Sequence, residues 1–274
     1  MPQQPEGLND WIAFLGRADI PVLGQTAREL DRLRSDDSQL NARGVADVVT
    51  DDPLMTVKLL RYMQTHKHRN QTYELVDVKQ ALLMMGLDTF FREVPAMPLA
   101  EALLSEQGAA LTHLLHTVRR AQRAAYYAFD WALRLHDLHA EEVQVSALLA
   151  HVSEILMWCF SPARMLEIQR LQEADPALRS AAAQKRVLGF AGMELQRQLT
   201  AAWRLPELLG NLTDPAQAGS ARVRNVMLAV NLARHSAHGW HGAALPDDYD
   251  EIAALLRMEP NKVMALVQAG PAID

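Results

Sequence analysis

Apolar positions recur at helical spacing along almost the whole chain, and no stretch alternates apolar with polar residues long enough to read as a strand. Alanine, leucine, arginine, glutamine, glutamate and methionine dominate, all good helix formers. The pattern predicts helices near 8–16, 22–34, 39–49, 53–65, 76–85, 88–94 and 97–106. A second group follows near 110–136, 140–160, 162–173, 176–187, 191–203, 206–212, 220–238, 247–257 and 260–269. Asp52-Pro53, Ser161-Pro162 and Asp175-Pro176 each put a capping oxygen before a proline, which loses no hydrogen bond at the first helical position. Gly86 suits a left-handed C-terminal cap, and Pro95, Pro98, Pro206 and Pro246 mark further breaks. His66–Thr72 and Asp214–Gly219 read as loops, neither long nor biased enough to be an interdomain linker. The expectation is an all-α protein of two packed helical lobes, 1–106 and 107–274, sharing one interface.

Composition narrows the function classes. A chain of 274 residues with 49% hydrophobic positions can bury an ample core. Its net charge of -6 gives no attraction to a nucleic-acid backbone or an anionic membrane. The densest basic cluster, Arg119, Arg120 and Arg123, lies in a helical pattern and reads as a solvated face. Helix-turn-helix DNA binding is rejected as well: the candidate recognition helix Asp88–Val94 carries Phe90, Phe91 and a single Arg92. The one cysteine, Cys159, sits in an apolar run and can form no internal disulfide. No basic start with an apolar core marks a signal peptide, and no uninterrupted apolar run approaches the ~18–20 residues of a membrane span. A reducing cytoplasm is the expected location.

Histidines are the main candidate chemistry. His113 and His116 share a helix face, as do His136 and His139. His235, His238 and His241 recur every third residue, but Gly239 interrupts the helix between the last two, and a helix end explains them without zinc. No Gly-rich phosphate loop and no Gly-x-Ser-x-Gly elbow is present. The acid pairs Asp51-Asp52 and Asp247-Asp248 precede helix starts and read as caps.

Residues 145–156, from Val145 through Ala147-Leu148-Leu149 and Ala150-His151 to Leu156, resemble the metal-binding helix of the HD-type phosphohydrolases. In that family a His-Asp pair follows the small-Leu-Leu triplet; here Ala150-His151 stands in its place. This points to the HDOD family, metal-free relatives of the HD hydrolases that act in bacterial signalling. Further along the same resemblance, Ile20-Pro21-Val22-Leu23 stands where the family has a Leu-Pro-type lead-in. The stretch Val48–Arg61, with Asp52-Pro53 and Leu59-Leu60-Arg61, looks like its most recognisable segment, although Gln64-Thr65 replaces the usual Asn-Ser. Val76–Gly86, Leu188-Gly189-Phe190 and Trp203-Arg204-Leu205-Pro206 are similar to later family segments. Gly192 occupies the place of a histidine that hydrolases keep, and Asn211–Asp214 replaces a His-His pair.

The resemblance implies an HD-like multi-helix bundle with a degenerate active site and no cofactor. It implies a non-catalytic signalling module that binds a protein partner, or a small regulatory ligand, through the vacated pocket. His116, Arg120, Ala150, His151 and Gly192 are the residues it places around that pocket. Two alternatives stay open. A residual phosphohydrolase would hold metal through His116, His151 and a carboxylate such as Glu154, although a catalytic metal needs about three or more converging ligands. A nucleotide-binding sensor would turn Arg119 or Arg120 toward phosphate.

Overall fold

Local chemistry starts and stops the helices in the computed structural model, which describes residues 5–36, 38–66, 77–175, 177–212 and 214–269. Up to the middle of the chain these are α1 (Leu8–Arg17), α2 (Gly24–Arg34), α3 (Ala42–Thr50), α4 (Pro53–Thr65), α5 (Val78–Met85), α6 (Leu87–Glu93), α7 (Ala100–Leu103), α8 (Gly108–Arg134) and α9 (Ala140–Leu149). There follow α10 (Val152–Phe160), α11 (Pro162–Ala174), α12 (Ser180–Leu188), α13 (Gly192–Ala202), α14 (Glu207–Asn211), α15 (Ala221–His235), α16 (Leu245–Leu256) and α17 (Pro260–Gln268). No strand forms among the described residues; one isolated parallel bridge joins Val22 to Leu99. The chain is all-α, as its periodicity predicts.

Side-chain caps start α3, α4 and α5, while most of the caps expected from the sequence do not form. Asp52 accepts from the amides of Leu54 and Met55, with Pro53 in the first turn of α4. Asn41 and Asp77 cap α3 and α5 in the same way. Gly189 ends α12 in the left-handed region, where a side chain would be strained. Gly86 also has positive φ, but at ψ 147 it is an extended joint leading directly into α6 rather than the left-handed cap expected of it. Ser161 precedes Pro162 as predicted, yet its hydroxyl makes no capping bond and is buried without a partner. Asp175 accepts from Ala177 in a turn, and the helix begins only at Ser180. Asp214–Gly219 contains a short 3-10 turn, Pro215–Gln217. Of the loop predicted at His66–Thr72, all beyond His66 lies outside the described residues, as do Pro176 and the predicted helix start at Val76.

The helix predicted over 140–160 is interrupted by a turn at Ala150-His151, dividing it into α9 and α10. By length and composition this segment would suffice to cross a membrane, more apolar than the reading of the sequence allowed. In the fold 72% of its apolar window is buried inside the protein, as expected of core helices.

Packing divides the chain differently from its sequence order. One compact unit comprises the chain up to Thr117 with His151–Leu205; the other comprises Val118–Ala150 with the chain from Pro206 onward. A single boundary near 106 does not describe this, because α8 is one uninterrupted 27-residue helix and α10–α13 pack among α1, α4 and each other. Trp11, Leu15, Ile20, Leu54, Met55, Leu59 and Phe90 are fully buried in the first unit. In the second, Ala124, Ala128, Trp131 and Ala132 of α8 pack with Val143, Val226, Ala229, Leu232, Ile252 and Val263. Alanines four residues apart, at 124, 128 and 132, let neighbouring helices approach that face closely.

Candidate functional site

The segment Val48–Arg61 does structural work in the first unit. Asp52 is fully buried, and besides capping α4 it accepts the Leu23 amide at 3.0 Å, tying the segment before α2 to α4. Burial pushes its carboxyl up, against the hydrogen bonds from Leu23, Thr26, Met55 and Leu54. Lys58 is buried as well; its ammonium donates to Asp19 at 2.8 Å and to the carbonyls of Ile20 and Met97. Arg61 donates to the last carbonyls around α1, Leu15 and Ala18, both at 2.9 Å, and lies over the Trp203 ring at 5.5 Å. Asp52, Lys58 and Arg61 each satisfy backbone groups that the helices themselves leave unpaired.

The site expected around α8 and α10 takes shape on one stripe of α8. Leu114, Val118 and Ala121 are buried, so His113 and Thr117 flank the packed face while His116 falls on the exposed one. His113 stacks on Trp158 of α10, ring centroids 5.0 Å apart and 8° from parallel. Thr117 is buried; its hydroxyl donates to the His113 carbonyl at 2.9 Å and lies 3.3 Å from Glu154 Oε1. His151 is the half-buried residue before α10, its carbonyl accepting from Ile155. The Ser153 amide, in the first turn of α10, donates to Gln196 Oε1 at 2.9 Å, and the Ser153 hydroxyl donates to the Gly192 carbonyl at 3.2 Å. The Gly192 amide in turn donates to Gln184 Oε1 at 2.8 Å. A Cβ at position 192 would stand 3.2 Å from that same oxygen, so any side chain there requires Gln184 to give way.

Of the five residues expected at the pocket, His116, His151 and Gly192 belong to the first unit, and Arg120 and Ala150, both half-buried, to the second. The fold brings Gly192 against Ser153 and Gln184 but turns His116 outward. Sequence reasoning passed over Thr117, Ser153, Gln184 and Gln196. Thr117 was legible, since it lies one turn beyond His113 beside an apolar stripe. Gln184 and Gln196 gave no signal, because a glutamine that bonds the backbone of another helix leaves no pattern in its own.

A hydrolytic metal does not fit this arrangement. The side chains brought together are the hydroxyls of Thr117 and Ser153, the amides of Gln184 and Gln196 and one carboxylate, Glu154, which is too few imidazole and carboxylate ligands for a catalytic metal. Among the described residues no three His, Cys, Asp or Glu side chains gather closely enough to hold an ion. His235 points elsewhere: at the end of α15, its Nδ1 lies 2.6 Å from Asp248 Oδ2, so Asp248 serves as its partner rather than as a cap. Cys159 is buried and burial pushes its thiol up, which removes it as a nucleophile.

The HDOD domain profile matches residues 20–217. Among solved structures the chain is similar to the MmoQ response regulator of Methylococcus capsulatus strain Bath, with a TM-score of 0.69 at 18% identity, covering 92% of this chain and 98% of that one. It is also similar to a virulence factor of Campylobacter jejuni subsp. jejuni, with a TM-score of 0.67 at 19% identity, covering 94% of this chain and 92% of the other. At such identities the likeness is one of fold alone. No protein of curated function matches the chain in sequence.

Proposed function

Because the chain belongs to the HDOD family, we propose that it is a non-catalytic signalling module, which acts by binding a protein partner at the face where HD hydrolases hold their metals. One observation carries the reading. The polar atoms around Ser153 and Gly192 are spent on one another, through Gln196 and Gln184, and offer a cation no set of ligands. The name response regulator borne by the similar MmoQ protein supports a signalling role. His113, His116, His151 and the residues beside them then contribute shape and hydrogen bonds rather than Lewis-acid chemistry.

The test is elemental mass spectrometry on tag-free protein purified without chelators, paired with an assay on a simple phosphodiester. The expected result is metal well below one equivalent and no hydrolysis on adding manganese, iron, nickel or zinc. Near-stoichiometric metal with hydrolysis abolished by His151→Ala would overturn the proposal in favour of a phosphohydrolase. A thermal-shift panel of nucleotides separates the remaining outcomes: a flat response keeps the protein partner, and a saturable shift replaces it with a small regulator.

A further inference from the structure

We draw no further inference here: the strongest candidate, the turn between α8 and α9 where Leu138 stands 91% exposed at a tip braced by the Arg222–Asp137 ion pair, carries nothing because nothing in the structure shows what covers it.

Discussion

Two polar clusters, one in each compact unit, have different surroundings, although the second unit also buries Ser146, Asn225, Ser236 and Asp248. In the first, Asp52, Lys58, Thr117, Ser153 and Gln196 are buried and bonded largely to backbone. In the second, the prominent polar cluster is a partly exposed ion pair: Arg222 grips Asp137 through two bonds of 2.7 Å and reaches Glu142 at 3.4 Å, closing the turn after α8 onto α15. Buried groups lose water when the protein folds, so removing one partner strands the other at full desolvation cost. Partly exposed ions recover water when a partner is lost, and the cost is correspondingly small. The difference teaches where sequence changes are expensive, and it places the region around Gln196 on the expensive, neutral side.

The largest effect should come from Asp52→Ala. It strands the amides of Leu23, Leu54 and Met55 in the core, and urea denaturation should show a loss of about 3 kcal/mol or more. Asp52→Asn keeps a capping oxygen and should lose less than half as much. A cost under about 1 kcal/mol for the alanine variant would break the contrast between the units. Next, Gln196→Leu removes the acceptor of the Ser153 amide and should cost about 1–2 kcal/mol. Unchanged stability would show that water or another group satisfies α10 and that the bond from Ser153 to Gln196 is incidental.

The second unit should respond to acid instead. Burial raises the Asp137 carboxyl, but the bonds from Arg222 and the His139 amide, with the Arg222 charge, outweigh it and hold the group below its ordinary 3.8. A carboxyl depressed in the folded state binds its proton less readily than in the unfolded chain. Its contribution is therefore complete above about pH 4 and is lost as pH falls through the folded value. Arg222→Ala should lower stability by about 1 kcal/mol near neutral pH and flatten the decline in acid. An acid profile identical to that of the unaltered protein would remove the ion pair from the account.

The smallest effect expected is a gain. Arg257 ends α16 at φ 54 and ψ 46, a left-handed conformation that glycine adopts without strain. Arg257→Gly should raise the thermal midpoint slightly, by about 0.5 kcal/mol of stability, the relief of strain being offset in part by the freer unfolded chain. A loss would mean that the arginine side chain makes up for its backbone.

Helix positions were legible wherever a short run of residues held the whole instruction. Asp52-Pro53 starts α4 and Gly189 stops α12 through bonds made within a few residues. The same logic failed at Ser161, whose surroundings bury the hydroxyl without turning it to an amide. It failed again at Ala150-His151, where no proline or glycine announces the break between α9 and α10. The candidate site was legible only as a deficit: the family resemblance sets Ala150-His151 and Gly192 against the ligand positions of HD hydrolases. What replaces those ligands was not.

Residue order along the chain was sufficient for an all-α protein with its helices in nearly the right places, because hydrophobic periodicity is written within a few turns. It could not say that His113 rather than His116 borders the packed face, or that Asp52 reaches Leu23 and Gln196 reaches Ser153. Nor could it say that the compact units cut across the chain at Thr117, Ala150 and Leu205. Those outcomes depend on which helices pack together. That is settled by the burial of whole faces and the pairing of every buried donor, and no local stretch of sequence contains either.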